Sequence, residues 1–342
     1  MAERRGSIKT YIISRIILAI PMLIIITSFV FFIMRVAPGD PVTAMLGPHA
    51  PLAYKEKLRE ELGLTLPLYQ QYFNYLAQVF TLNLGSSLTT GDSVATDIFV
   101  YFFPATLELT ILSTIVALAV GIPLGKLAAV KRDKKADVII RLFGIIIYAL
   151  PIYWFGFMLQ LLFGYYMGIF PTGGRLSPGV TPPPHITGLY TIDSLLSGQF
   201  STFLDALWHL ALPSITLGLI LSGVFIRTIR VNMLNTLQSD YVQAARARGV
   251  EERDVVNRHA YRNALVPVIT IMGMEIALLF AGAVLTETTY SFKGMGFLLV
   301  WSIQNRDYTM VQGAVIIYSI FIILFSVIID IINAYIDPRI RY

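Results

Sequence analysis

Cysteine is absent, which excludes disulfides, thiolate metal ligands and a thiol nucleophile. Histidine is scarce: the four present are too scattered to suggest a metal site. His209 opens an apolar run and His259 sits in a polar loop, and neither has the companions of a catalytic base. No His-Glu-x-x-His or Gly-x-Ser-x-Gly pattern occurs, so a membrane enzyme has no constellation to work with. Charge is also sparse, 14% of 342 residues, where soluble domains carry about a quarter. The one imitation of a phosphate-binding loop, Gly121 to Leu127, has three residues between its glycines instead of four. Leu127 stands where a magnesium-binding Ser or Thr belongs. Lys126 therefore reads as a membrane-edge anchor on the cytoplasmic side. No internal repeat stands out, which weakens an inverted-repeat secondary transporter.

What is abundant is apolar. Hydrophobic residues make up 56% of the chain, and a mean hydropathy of +0.68 places it among membrane proteins. Ile16 to Met34 is nineteen residues without a charge, close to the roughly 20 that cross a bilayer. It is followed directly by Arg35 and Ala37-Pro-Gly-Asp-Pro41, so a retained span is expected and not a cleaved signal peptide. Further spans are expected at about Pro104 to Gly125, Leu142 to Phe170, Ala206 to Ile226 and Tyr308 to Ile329. A sixth, Asn263 to Thr286, is interrupted only by Glu275. Prolines 123, 151, 213 and 267 lie in or beside these runs, where neighbouring helices can satisfy the backbone groups they free.

Six spans put both termini on one side. With the N-terminus inside, inner segments hold 19 Lys and Arg residues and outer segments 7, so both termini are expected in the cytoplasm of a plasma or inner membrane. The expected organisation has three parts. Residues 1–35 are a cytoplasmic start and first span, 36–103 an extracytoplasmic insertion, and 104–342 a five-helix core with a cytoplasmic loop at 227–265. In the insertion, Lys55 to Leu62 predicts a charged helix, and Pro67 to Phe80 an amphipathic one that packs on a neighbour. Gly173 to Phe200 predicts an outer loop ordered by packing and not helical. The small-xxx-small pairs Gly121/Gly125 and Gly164/Gly168 predict close helix packing.

Two features carry chemistry. Glu275 lies eight residues past Pro267, roughly 12 Å along a helix at about 1.5 Å per residue. A charge at mid-bilayer costs about 2.5–3.5 kcal/mol on insertion scales. Glu275 therefore either lines a polar translocation path or is spent on an interhelical hydrogen bond or a protonated carboxyl. Glu287, nearer a span end with Glu108, is the second candidate for the path, with an interfacial position as its alternative. The other feature is Asp240 to Gly249, a short polar helix former inside the most basic loop. Ser239 or Asp240 is placed to cap its start and Gly249 to end it in the left-handed conformation. Tyr241, Ala244, Ala245 and Arg248 share one face by the i, i+3, i+4, i+7 rule, and its alanines would admit another backbone. A second helical stretch, Glu251 to Asn263, runs on into Pro267, giving an elbow suited to passing force from a soluble partner.

Gln243-Ala244-Ala245, three residues and Gly249 resemble the Glu-Ala-Ala–x₃–Gly loop of permease subunits of ATP-binding cassette importers, nearest to the B-type permeases of dipeptide and oligopeptide importers. Further matching stretches follow in order. They are Ala37-Pro-Gly-Asp-Pro41, Leu62-Gly-Leu with Pro67-Leu-Tyr-Gln-Gln-Tyr72, Pro104-Ala-Thr-Leu-Glu-Leu109, Arg258-His-Ala-Tyr-Arg-Asn-Ala-Leu-Val-Pro267, Glu287 through Gly294-Met-Gly296, and Asp337-Pro-Arg-Ile-Arg-Tyr342. Two departures stand out. Gln243 replaces the motif's Glu, and the general motif's Ile-x-Leu-Pro ending is missing at its usual spacing. The resemblance implies an all-α, six-span membrane protein with the type I importer fold. It implies Asp240, Tyr241, Gln243, Ala244, Ala245, Arg246, Arg248 and Gly249 as the ATPase-coupling residues. It also implies a second permease, two cytoplasmic ATPases that hold the ATP and magnesium, and an extracellular solute-binding protein. The chain itself would carry no cofactor and no hydrolytic activity, and would bind no nucleic acid. Oligosaccharide or nickel import by the same machinery, and a secondary transporter or channel, are the rival readings.

Overall fold

The computed structural model describes residues 8–36, 41–47, 49–61, 63–87 and 89–336. Arg4 and Arg5 of the basic start, residues 37–40 of the Ala37 to Pro41 motif, Leu62 and the terminal Asp337 to Tyr342 lie outside them. Among the described residues the chain is helical, with one isolated antiparallel bridge between Ser86 and Ser93.

Helix α1, Ile8–Val36, is the first span. Helix α2, Leu68–Thr81, is the expected amphipathic one, and it packs on α1. The Tyr72 and Ser28 hydroxyls are 2.7 Å apart, and the Phe31 ring meets Tyr72 and Tyr75 at 5.4 Å. Between them Leu52–Glu61 forms the charged helix. A continuous apolar rod from Val94 to Val130 is the second span, ending in α3, Phe103–Val130.

The expected third span is not a single rod. Helix α4, Lys135–Ala149, and helix α5, Ile152–Leu159, meet at 104°, with α5 continuing as a π-helical turn to Tyr166. Pro151 clashes with a helical residue before it and pushes Leu150 to ψ 134°, which ends α4. Pro213, by contrast, sits inside α6, Phe200–Leu237, without breaking it.

Helix α6 is the centre of the molecule. It is the most enclosed of the apolar spans, and α3 crosses it at close range because glycines remove the side chains between them. A Cβ at Gly218 would lie 2.7 Å from the Ser113 carbonyl, and one at Gly125 would lie 2.9 Å from the Ile226 carbonyl. The Gly121/Gly125 pair thus packs as expected. Gly164 and Gly168 do not join helices: Gly164 faces Thr172 across a turn and Gly168 takes φ +63° in open space.

After α6 come α7, Asp240–Ala247, α8, Val266–Thr289, α9, Met295–Gln304, and α10, Tyr308–Ile336. Among the described residues four helices are long and apolar enough to cross a membrane, and a fifth span follows if the bent α4–α5 pair is one. Helix α8 covers the sixth expected run but is not among these. The outer loop departs from expectation in holding a short helix, Tyr190–Leu196. Asp193 fixes it by accepting hydrogen bonds from the Ile186, Thr187 and Gly188 amides.

Candidate functional site

Helix α7 is sharply terminated, though not at both ends as expected. Ser239 has the extended backbone of an N-cap, φ −72° and ψ 150°, but its side chain does not cap the helix. Its hydroxyl donates 2.6 Å back to the Thr236 carbonyl, satisfying the last turn of α6. Asp240 is the first helical residue, where a carboxylate complements the helix dipole without capping. The other end follows the sequence reading. Gly249 takes φ +76°. Its N–H donates to the Arg246 carbonyl at 2.9 Å, and the Val250 N–H to Ala245 at 3.2 Å, the paired bonds of a Schellman ending.

The face expected to be shared splits in two. Tyr241, Gln243, Ala244 and Arg248 are exposed, whereas Ala245 is fully buried with Val242. Both pack on Val255, with Val250 closing the cluster. Ala245 is therefore spent inside the elbow and is not offered to another chain. Val242 escaped the sequence reading, although its apolar partners Val250 and Val255 follow at once in the chain.

Three tethers make the elbow one body. The Gln243 amide donates to the Leu237 carbonyl at 3.3 Å, as does Arg246, so both satisfy the end of α6. Arg246 also grips Glu252 through two nitrogens at 3.0 and 2.7 Å, and this pairing holds the Glu252 carboxyl below its usual range. The Tyr241 hydroxyl donates to the His259 carbonyl at 3.4 Å and accepts from Asn263 at 2.8 Å, just before α8 begins. Lys126, expected as a simple membrane-edge anchor, donates to Asn257 at 2.6 Å and sits 4.6 Å over the Tyr261 ring. It ties α3 to the same elbow.

The two candidate path carboxylates have different surroundings. Glu275 lines a cavity of about 670 Å³ between α4 and α6, with Arg141, Tyr148, Arg227 and Arg230. It also lines a smaller apolar one of about 150 Å³ beside Ile152 and Leu279. Glu287 lines neither and is fully buried. One of its oxygens accepts from Thr106 at 2.6 Å, and the other from the Gly296 and Phe297 amides at 2.7 and 3.1 Å. A Cβ on Gly294 would overlap the carboxyl. In this structure Glu287 caps the start of α9 and clamps it to α3.

Sequence reasoning missed the partner residues here. Thr106, which also accepts from the Met295 amide at 2.8 Å, is unremarkable in sequence. Likewise Arg175 pairs with Glu108 at 3.0 Å, both nearly enclosed. Asp137, fully buried, receives Arg230 at 2.7 and 2.8 Å. The only available signal was that isolated charges beside apolar runs need partners. Among the described residues no group of three or more His, Asp or Glu side chains could hold a metal ion.

Comparison with known proteins gives this geometry a context. Residues 121–342 match the family described as binding-protein-dependent transport system inner membrane component, and residues 8–110 match the N-terminal region of such membrane components. The chain is 41% identical over 310 residues to the probable D,D-dipeptide transport system permease protein DdpB of Escherichia coli K12, covering 91% of each. It is 41% identical over 335 residues to the di/tripeptide transport system permease protein DppB of Pseudomonas aeruginosa, covering 97% of this chain and 99% of the relative. To the oligopeptide transport system permease protein AppB of Bacillus subtilis it is 36% identical over 332 residues, with 97% and 99% covered. With its multiple apolar helices and its capped elbow, the chain belongs to the family of inner membrane components of binding-protein-dependent transport systems.

Proposed function

We propose that this chain is a membrane-spanning permease subunit of an ATP-driven importer of di- and oligopeptides. It forms the translocation path together with a second, similar permease. Two cytoplasmic ATPases bind ATP and magnesium, and an extracellular binding protein delivers the solute. The chain crosses the membrane six times, α8 being one of the crossings, with both termini in the cytoplasm. It contributes passage and coupling but no hydrolysis.

The observation that carries this reading is the elbow. Helix α7 presents Tyr241, Gln243, Ala244 and Arg248 outward, while Tyr241 is hydrogen-bonded to Asn263 at the foot of α8. Asp240, Ala245, Arg246 and Gly249 complete the coupling element by fixing its start, its inner face and its end. A push on the exposed face is delivered to the helix that bears Glu275 and to α3 through Lys126. ATP shifts the equilibrium between inward-open and outward-open arrangements because it binds the closed ATPase pair better. Glu275, at the wall of the larger cavity, is the side chain of this subunit placed to meet the solute or its water. The relatives named for dipeptides, di/tripeptides and oligopeptides supply the substrate class.

The test is ATP hydrolysis and uptake by the complex reconstituted in proteoliposomes with its binding protein. Short peptides should stimulate both. Stimulation by oligosaccharides or nickel instead would reassign the substrate, and uptake without ATP or ATPase subunits would replace the reading with a secondary transporter.

A further inference from the structure

A second cleft lies away from the elbow and from Glu275. It has a volume of about 420 Å³ and opens between the C-terminal end of α1, the polar side of α2 and the first turns of α10. That size is within the roughly 300–1,000 Å³ of small-molecule sites. Its lining is polar, unlike the apolar surfaces around it. Arg35 comes from α1, Gln71 and Tyr75 from α2, and Gln312 from α10, with Glu60 and Glu61 at the mouth.

The hydrogen-bonding state of this lining points to a ligand. Two enclosed polar atoms on it, Arg35 Nε and Gln71 Oε1, have no hydrogen-bond partner, and the Tyr75 hydroxyl faces the Gln312 side chain. Tyr75 is 4% exposed, so water does not substitute freely. The ring of Phe31 lies 5.8 Å from the Arg35 guanidinium. Buried polar atoms are almost always satisfied, and a partly enclosed cation gains from a directly bonded counter-charge. Guanidinium groups favour carboxylates because the fork of donors matches two oxygens. Gln71 and Tyr75 add an amide acceptor and a hydroxyl beside it, and the acids at the mouth suit an ammonium group.

We infer that the cleft between Arg35, Gln71, Tyr75 and Gln312 binds small zwitterions bearing a free carboxylate, the class to which short peptides belong. The carboxylate sits on Arg35, polar groups of the ligand meet Gln71, Tyr75 and Gln312, and the ammonium end faces Glu60 and Glu61. The choice of peptides within that class rests on the function proposed above. On the expected orientation the site opens to the extracytoplasmic side, where delivered solute arrives.

The experiment uses the assembled permease–ATPase complex in nanodiscs, without nucleotide or binding protein, titrated with radiolabelled alanyl-alanine. Saturable binding is expected. Amidation of the peptide's C-terminus, and Arg35→Gln, should each weaken it by about tenfold or more, as expected for loss of a charged hydrogen bond. Arg35→Lys should recover part of the loss and Gln312→Leu should weaken binding severalfold. Each variant is scored only if its complex assembles and melts like the parent. Absent binding, or binding indifferent to Arg35→Gln and to amidation, overturns the inference. A phospholipid headgroup is the other source of an anion. If native mass spectrometry finds a lipid retained by the parent and released by Arg35→Gln while alanyl-alanine does not bind, the site is a headgroup site and the inference is overturned. Uptake by the parent complex separates the two levels. Peptide uptake with Arg35-indifferent binding removes only this site, whereas no peptide uptake removes the functional reading itself.

Discussion

Asn263 donates to the Tyr241 hydroxyl at 2.8 Å, and that bond joins the exposed face of α7 to the turn that feeds α8. The same hydroxyl reaches the His259 carbonyl at 3.4 Å, so one phenol bridges both helical pieces of the elbow. Tyr241→Phe keeps the ring and removes both bonds, each worth about 0.5–1.5 kcal/mol net. The complex should still assemble, and the elbow should yield under load. Peptide uptake per ATP hydrolysed should fall severalfold in proteoliposomes. An unchanged ratio would show that Tyr241 is only a surface ring.

Gly249 ends α7 at φ +76°, and a Cβ there would meet nothing within 4 Å. Any effect of substitution is therefore backbone strain and not a clash. The left-handed region costs a β-carbon residue about 1–2 kcal/mol, and Asn tolerates it better than a branched residue. Gly249→Val should uncouple hydrolysis from transport while membrane insertion is preserved. Gly249→Asn should stay close to the parent. Equal behaviour of the two variants in the uptake assay would remove the left-handed ending as the reason for glycine.

Why Gly249 was legible and Glu287 was not follows from the range of the interactions involved. Helix ends, apolar runs and the Gly121/Gly125 packing are local, and they show in a few consecutive residues. The bend at Pro151 was visible as a proline, but its 104° was not. Glu287 depends on Thr106, separated from it by 181 residues. Asp137 depends on Arg230, 93 residues away. No periodicity reports such pairs. The Tyr241 face was half right because helical spacing says which residues align but not which side another segment covers. Ser239 failed as a cap for a related reason, since the carbonyl of α6 that takes its hydroxyl competes with the amides of α7.

The Glu287 clamp predicts a stability loss. Glu287→Leu leaves the Gly296 and Phe297 amides and the Thr106 hydroxyl without their buried acceptor. Each orphaned buried group costs about 1–3 kcal/mol. The melting temperature of the purified complex should drop clearly, and Thr106→Val, which frees the Met295 amide but keeps the two amide bonds to Glu287, should give a smaller drop. If Glu287→Leu melts like the parent, the carboxylate is not holding α9 to α3.

Asp193 predicts how the outer loop responds to acid. Burial opposes its charge, but hydrogen bonds from the Thr187 side chain and from the amides of residues 186–188 outweigh that, and its carboxyl lies below the usual range. A group with a depressed native pKa contributes stability that is present above its unfolded value, about 3.9 for Asp, and is lost as pH falls through the lower native value. Hydrogen exchange at the Thr187 and Gly188 amides, corrected for intrinsic rates, should therefore show constant protection from neutral pH to about 4. Protection should fall only below that. In Asp193→Asn it should be weaker throughout and lack the acid step. Loss of protection already near pH 6 in the parent would mean that another group holds the loop.

Glu275 gives the most direct test of the path. It is the acidic side chain on the wall of the cavity between α4 and α6, and the three arginines there are not equivalent. Arg230 and Arg141 are both drawn toward Asp137. Glu275 therefore brings a carboxyl group to a chamber whose cations are partly neutralised elsewhere. Replacing it with Leu removes that carboxyl but leaves α7, at the far end of the elbow, untouched. Uptake by Glu275→Leu should fall severalfold or more while pull-down of the ATPase subunits stays at the parent level. Glu275→Gln, which keeps a polar group of the same shape, should fall less. If both variants transport normally, Glu275 only packs between helices, and the solute passes along another wall.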